Sequence, residues 1–229
     1  MNRVITMARW DIQIQWRAGF YVAAGVVLLV WFILIGAVPP GGLVAALPTL
    51  LLSNMLLGTF YFTAGLMLLE RAEGSLVALI VTPLHAGEYI VARCLTLGLL
   101  STIEGLVVIL LSGTAFAVLP LLLGLVIGAS LLTMAGTMLV ARYREFNSFL
   151  MPSMLWSTLL ILPAITGLAH WDHPLIWLHP LQPVMVLLRG ALQPLVWWEW
   201  LYALLGSLVV VVGAWYGSQH AVERIGREV

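Results

Sequence analysis

The chain has 229 residues, of which 62% are hydrophobic and 9% are charged, and its formal net charge is zero. A soluble domain carries about 25% charged residues, so this composition excludes a water-soluble surface and indicates an integral membrane protein. With a net charge of zero, the chain shows no excess of positive charge that would indicate nucleic-acid binding. Cys94 is the single cysteine, which excludes an intrachain disulfide.

Residues 1–18 predict an amphipathic helix that lies on the membrane surface. Polar side chains recur at intervals of three and four residues, and the apolar ones lie mostly away from them. The polar stripe consists of Asn2, Thr6, Arg9, Gln13 and Arg17. We expect this interfacial helix to place Trp10 and Trp16 at the level of the lipid headgroups. The alternation in WDIQIQW is also typical of a strand, but the stripe covers the whole stretch and favours the helix.

Residues 19–229 predict an all-α transmembrane domain of six helices, because apolar runs of about 20 residues can cross a bilayer. The runs cover residues 19–38, 47–69, 89–112, 115–140, 147–168 and 196–217. The chain has no lysine, and under this arrangement every arginine except Arg189 falls on one side of the membrane. The positive-inside rule therefore predicts that both termini lie in the cytoplasm.

The loop after the second run contains a short amphipathic segment of its own, at residues 74–84. Its apolar face is formed by Leu76, Leu79, Ile80 and Pro83. Gly74 and Ser75 suit a helix start, and Pro83 helps to end the helix. We expect a short helix across the cytoplasmic mouth of the bundle. An interfacial helix that packs only on lipid is the alternative.

The same stretch resembles the second intracellular segment of ABC-2 type ABC transporter permeases. The resemblance is carried by Glu70, Gly74, Ser75, Leu76, Leu79, Thr82, Pro83, Leu84, Glu88, Tyr89, Ile90 and Arg93. In that family the segment is a coupling helix that docks on an ATPase subunit. The resemblance implies an ATPase-coupling role for Glu70, Glu73, Gly74, Ser75, Leu76, Leu79, Thr82, Pro83 and Leu84. Val77 departs from the family, in which many members have an acidic residue at that position.

The absence of lysine bears directly on the energy source. A P-loop needs a lysine to reach the phosphates of ATP, and no GxxxxGK[ST] motif occurs in this chain. We therefore expect a transport subunit that is not an enzyme and holds no cofactor. ATP and Mg²⁺ would bind to a separate ABC ATPase subunit.

The resemblance also implies partners, a location and a substrate class. It implies a second permease half, which is either the same chain or a homologue, in the lipid of a bacterial inner membrane. We expect export of a small hydrophobic or cationic substrate that is drug-like or lipid-like. In size the chain is similar to the small fluoroquinolone-exporter type of permease. The haem-export permease of cytochrome c maturation has a similar layout and stays an alternative.

Residues 170–195 predict a re-entrant outer segment of two short helices, because four prolines exclude a continuous span there. A group of possible metal ligands occurs in the same segment: His170, Asp172, His173 and His179. Such a group is compatible with a membrane-embedded metal hydrolase. The tryptophans and prolines between these residues are more typical of an interfacial belt, so we expect no bound metal.

Glu104 lies near the middle of the third run, where a carboxylate is costly and usually faces the bundle interior or water. We expect a substrate path lined by Glu104, Asn54, Thr59 and Thr63. A packing role for these side chains is the alternative. Glu104 would also suit a proton-coupled transporter, although the sequence shows no inverted repeat.

Overall fold

The computed structural model describes residues 3–74, 85–169, 171 and 173–227, and every regular element in these ranges is helical. In chain order the helices are α1 Arg3–Arg17, α2 Phe20–Ala37, α3 Pro40–Met55, α4 Phe62–Ala72, α5 Ala86–Leu111, α6 Val118–Val140, α7 Phe146–Leu160, α8 Leu162–Leu168, α9 Gln182–Gly190 and α10 Trp197–Arg227. A π-helical segment, Leu56–Tyr61, joins α3 to α4, and a 3₁₀ turn, Pro174–Leu178, precedes α9. The predicted all-α class is confirmed.

Five helical stretches are long and apolar enough to cross a membrane: α2, α3 with α4, α5, α6 and α10. A sixth span is obtained when α7 and α8 are counted together, although their axes differ by 45°. The bend lies at Ile161, just before Pro163, whose ring leaves one backbone carbonyl of the preceding turn without its usual donor. The six predicted runs each match one of these spans. The second span begins earlier than predicted, at Gly41.

Helix α1 has three faces rather than the predicted two. The described members of its predicted polar stripe, Thr6, Arg9, Gln13 and Arg17, are exposed. A second exposed face carries Ile5, Ile12 and Trp16. The third face packs against α5 and buries Asp11 and Gln15 together with apolar neighbours. The prediction that this stretch forms a helix rather than a strand is therefore confirmed. The tertiary contact of its third face was not predicted.

The second span is interrupted by the π-helical segment at its centre, where the backbone widens and α6 approaches closely. A Cβ atom added to Gly136 of α6 would lie 2.7 Å from the carbonyl oxygen of Phe60. Only glycine therefore allows α6 to lie this close to the π-helical backbone. On another face of α6, Gly124 and Gly128 lie against α9, as the small-residue spacing of GLVIG predicts.

The basic residues lie at one end of the bundle, as the span assignment predicts. The guanidinium of Arg71, at the end of α4, donates to the carbonyl oxygens of Ala141 and Tyr143, just after α6. Arg3 lies 4.0 Å from Glu88 at the start of α5. Arg189 lies at the opposite end, where the Ala117 amide before α6 donates to the Ala191 carbonyl at 2.7 Å. The compartment that each end faces stays a prediction.

The outer segment contains the two short helical elements that the prolines predicted. Helix α9 is buried along nearly its whole length between α3, α6 and α10, so its surroundings are protein. Glu199, at the start of the last span, is held by two polar contacts. Its carboxylate lies 2.7 Å from Arg189 and accepts from the Val196 amide at 2.9 Å, because α9 folds back beside α10.

Candidate functional site

A buried cluster of three charged side chains joins α1, α4 and α5. Arg93 is on the third turn of α5, Glu70 is in the last turn of α4, and Asp11 is in the middle of α1. The Nη2 atom of Arg93 lies 2.5 Å from Oε1 of Glu70 and 3.4 Å from Oδ1 of Asp11. All three side chains are almost completely buried. We call these three residues the charge cluster.

Hydrogen bonds to uncharged side chains extend the charge cluster in two directions. The Tyr89 hydroxyl donates to Oε2 of Glu70 at 2.8 Å and accepts from Nη2 of Arg93 at the same distance. On the other side, the Thr96 hydroxyl lies 3.2 Å from Oδ2 of Asp11. The Gln15 amide donates to Thr96 at 3.2 Å. The cluster is therefore the centre of a polar network that ties the N-terminal helix to two spans.

The charges in the cluster do not balance, since one guanidinium faces two carboxylates. Burial raises the pKa of Asp11 to about 6, and the nearby Arg93 opposes this shift. Two of the Arg93 donors, Nε and Nη1, have no hydrogen-bond partner among the described residues. A buried ion pair often contributes little net stability, because desolvation offsets the attraction between the charges. Such a cluster is better suited to fixing one arrangement of helices than to raising overall stability.

Two members of the charge cluster flank the predicted coupling segment, residues 74–84. Glu70 precedes this segment and Arg93 follows it, while the predicted residues Ser75, Leu76, Leu79, Thr82, Pro83 and Leu84 lie outside the described residues. Glu73 is exposed at the C-cap of α4. Gly74 has a φ of 70°, a left-handed conformation that favours glycine. It was expected to begin a new helix, and in the structure it ends α4.

Helix α5 follows this segment and begins with a capping box. The side chain of His85 accepts from the backbone of Glu88, and the Glu88 carboxylate accepts from the His85 amide at 2.9 Å. Glu88 therefore lies in the first turn of α5, where the helix dipole favours a carboxylate. The two ends of the segment are thus fixed locally, by Gly74 at the end of α4 and by the capping box at the start of α5.

The second candidate site is the buried acid Glu104 in the second half of α5. Oε2 of Glu104 lies 3.4 Å from Nδ2 of Asn54 and packs against the π-helical segment, since a Cβ added to Gly58 would lie 2.7 Å from it. Oε1 of Glu104, Oδ1 of Asn54 and the Ser101 hydroxyl have no partner among the described residues. An unpaired carboxylate in this position is costly, and a proton or a bound cation would relieve the cost.

The predicted substrate path is brought together only in part. Asn54 and Glu104 are in contact, whereas the Thr59 hydroxyl donates to the Met55 carbonyl of its own helix at 2.6 Å. Thr63 is buried against Gly136 of α6. Glu104 is 2% exposed, so the path is closed in this conformation.

The histidines of the outer segment have local structural contacts. Nδ1 of His179 accepts from the Leu181 amide, so Nε2 carries the proton and donates to the Leu159 carbonyl at 3.0 Å. Nδ1 of His173 accepts from the Leu175 amide. His170 and Asp172 lie outside the described residues. The described ranges contain no group of three or more potential ligands that is suited to a metal.

The roles of Asp11, Gln15 and Thr96 in the network were not predicted from the sequence. A signal was present, because Asp11 and Gln15 are one helical turn apart and lie away from the exposed polar stripe. Two polar residues on the protein-facing side of an amphipathic helix indicate buried partners. Those partners are on α5 and are distant in sequence, so the helix alone could not identify them.

Five apolar spans with a bent sixth, together with a buried charge cluster at one end, define a multi-pass α-helical membrane protein. The chain belongs to the fluoroquinolones export permease protein family, whose family model matches residues 2–225. It is similar to fluoroquinolones export permease proteins from two strains of Mycobacterium tuberculosis, CDC 1551 / Oshkosh and ATCC 25618 / H37Rv. Each is 26% identical over 219 residues, which covers 93% of this chain and 92% of the relative.

Proposed function

We propose that this chain is the transmembrane subunit of an ATP-driven exporter that moves small hydrophobic or cationic drugs out of the cytoplasm. A separate ATPase subunit supplies the energy, and a second permease half completes the transporter. Fluoroquinolones, for which its relatives are named, are the first substrates to test. The compartment and direction rest on the arginine distribution and on the family, which favour cytoplasmic termini in a bacterial inner membrane.

This proposal rests on the charge cluster, in which Glu70 and Arg93 lie on either side of residues 74–84 in the chain. A segment that receives force from an ATPase transmits it only if its ends are joined to the spans. Glu70 and Arg93 provide that joint, and Asp11 extends it to α1. Closure of the ATPase subunits would move the coupling segment and, through the cluster, α1, α4 and α5 together. This is a coupling between two sites through one packed element.

Glu104 is proposed as the residue that recognises the positive charge of a substrate. Its carboxylate is buried beside Asn54 and has an oxygen without a partner among the described residues. Opening of the bundle at the π-helical segment would expose this oxygen to a cationic amine. The closed conformation of the structure then corresponds to a state without bound substrate.

The second permease half is proposed from the surfaces of α2 and α10. Both helices present long apolar faces outward, including Val22 and Leu29 on α2 and Leu208 and Val209 on α10. Lipid covers part of such a surface in any membrane protein. A second copy or a homologue would cover the rest and enclose a path between the two halves.

The test is co-purification of this chain with the ATPase subunit encoded beside it. Leu79→Asp places a charge on the predicted apolar face of the coupling segment, and Leu79→Met is the matched control that keeps the face apolar. The proposal predicts a stoichiometric, ATP-hydrolysing complex for the native chain and for Leu79→Met. Loss of that complex in Leu79→Asp, with normal membrane insertion, supports the proposal. An intact and active complex with Leu79→Asp contradicts it.

A further inference from the structure

A cavity lined by basic residues lies between the end of α6 and the last third of α10. It is half-open, has a volume of about 730 Å³, and is lined by Arg142, His220 and Arg224 together with apolar and small residues. The volume is within the range of ligand pockets, roughly 300–1,000 Å³. The described lining residues include no acidic side chain. Three of the seven described lining residues are therefore basic or can become so.

The position of Arg142 makes this charge available to a ligand. Arg142 is exposed in the turn after α6, and in the part of the chain that the structure describes its side chain has no ion pair or hydrogen bond. The turn itself is held in place, because Arg71 donates to the carbonyl oxygens on either side of Arg142. A guanidinium on a fixed backbone, with open donors, is suited to bidentate binding of a phosphate.

The end of α6 and the exposed side chains of α10 indicate that the cavity lies where a membrane changes from acyl chains to headgroups. Helix α6 ends at Val140, immediately before the cavity, and Tyr216 of α10 is 68% exposed beside it. Exposed tyrosines are typical of the membrane interface. Towards the centre of the span, α10 exposes the apolar side chains of Val209 and Val212. A surface that would contact acyl chains is thus continuous with a basic cavity.

The walls of the cavity suit an amphipathic ligand better than a free anion. Met138 and Ala221 supply apolar contacts, and Gly217 lets Met138 lie directly against α10. A soluble phosphate would use the arginines alone and leave this apolar wall in contact with water. A phospholipid would use both parts, with its phosphate at the arginines and its glycerol and chains along the wall.

We propose that this cavity is a binding site for the headgroup of an anionic phospholipid, with Arg142 and Arg224 as the phosphate ligands. The site is distinct from the proposed substrate path at Glu104 and from the coupling segment. It bridges the α6–α7 turn and α10, so a bound lipid joins these elements across the cavity. Basic pockets between spans are a recurrent form of lipid recognition.

The test uses the purified full chain in detergent and compares dioleoylphosphatidylglycerol, dioleoylphosphatidylcholine and inorganic phosphate. Phosphatidylglycerol is expected to raise the unfolding temperature by about 5 °C more than phosphatidylcholine does, because it binds only the folded chain. Inorganic phosphate at the same concentration is expected to have no comparable effect. Equal stabilisation by the two lipids would overturn the proposal. An effect of phosphate equal to that of phosphatidylglycerol would overturn the lipid assignment in favour of a free-anion site.

Substitutions of the arginines test whether phosphatidylglycerol stabilises the chain by binding in this cavity. Arg142→Gln combined with Arg224→Gln is expected to abolish the preference for phosphatidylglycerol, whereas Arg144→Gln is expected to keep it. Arg144 is the matched control, since it is an exposed arginine of the same turn that does not line the cavity. Arg142→Lys preserves the charge but not the bidentate geometry, and it is expected to keep only part of the preference. A loss in Arg144→Gln equal to that in the double variant would overturn the site.

If the double variant does not fold, native mass spectrometry of the wild type in a mixture of the two lipids decides the question. Selective retention of phosphatidylglycerol supports the site, and unselective retention overturns it.

Discussion

Arg93 of α5 contacts Glu70 of α4 at 2.5 Å, with both side chains buried, although the predicted coupling segment lies between them in the chain. The contact holds together the two helices that precede and follow that segment. It also gives both helices a shared partner on α1, because Asp11 lies 3.4 Å from the same Nη2 atom. Movement of any one of the three helices at this level requires movement of the others or loss of a buried ion pair.

Glu70→Gln is expected to destabilise the protein by about 2 kcal/mol, because Arg93 loses its ion-pair partner at 2.5 Å and keeps only Asp11 at 3.4 Å. Thermal unfolding in detergent measures the change. Glu73→Gln is the matched control, an exposed acid in the following turn, and is expected to change stability by less than about 0.5 kcal/mol. Equal effects of the two substitutions would show that the pair at Glu70 has no special role.

Asp11→Asn is expected to change how stability depends on pH. Burial raises the pKa of Asp11 from 3.8 to about 6, so the folded chain holds this proton more tightly than the unfolded chain does. Protonation of Asp11 therefore favours folding below about pH 4, and that contribution is lost as the pH rises through 6. Asparagine does not titrate. The unfolding temperature of Asp11→Asn minus that of the wild type should increase between about pH 4 and pH 7. A decrease over this range would contradict the burial argument.

Glu104→Gln is expected to reduce export of a fluoroquinolone that carries a basic amine, by about tenfold, because the variant lacks the proposed partner of the positive charge. An analogue acetylated at that amine is the internal control and should be exported equally by both proteins. Export is measured as drug accumulation in cells that express the permease with its ATPase. Equal losses for both compounds would assign a structural role to Glu104.

Gly136→Ala is expected to destabilise the bundle by about 1–3 kcal/mol, because its Cβ would lie 2.7 Å from the Phe60 carbonyl oxygen and would push α6 away from the π-helical segment. Gly25→Ala is the control, since a Cβ at that position of α2 meets nothing within 4 Å. Unfolding temperatures of the two variants give the comparison. A Gly136→Ala protein as stable as the control would mean that α6 and the π-helical segment can separate at no cost.

The spans were predictable from sequence because each depends on a local property, a run of apolar residues long enough to cross a bilayer. The bend at Ile161 was not predicted, although Pro163 is visible in the sequence. Prolines are tolerated in continuous membrane helices when neighbouring groups satisfy the free carbonyls, so a proline alone does not indicate a break. The early start of α3 at Pro40 was also missed, because the stretch before residue 47 is rich in glycine and proline.

The charge cluster was predictable only in part. Glu70 and Arg93 were identified by resemblance to a family, but nothing local to Asp11 shows that Arg93 lies next to it. The same limit applies to Glu199, whose pairing with Arg189 depends on α9 folding back against α10. A paired charge can be recognised from sequence only when its partner is known. In these pairs the partner belongs to another helix, so local sequence does not reveal it. The coupling role of residues 75–84 stays a prediction, since they lie outside the described residues.

The most direct test of the central claim is the number of drug molecules exported per ATP hydrolysed by the reconstituted complex, measured for the wild type and for Arg93→Gln. The account predicts that Arg93→Gln still assembles with the ATPase and hydrolyses ATP, while export per ATP falls by about tenfold or more. That result would assign the charge cluster to the transmission of force from the coupling segment to the spans. An unchanged ratio would contradict this assignment, because export would then proceed without the joint between α1, α4 and α5.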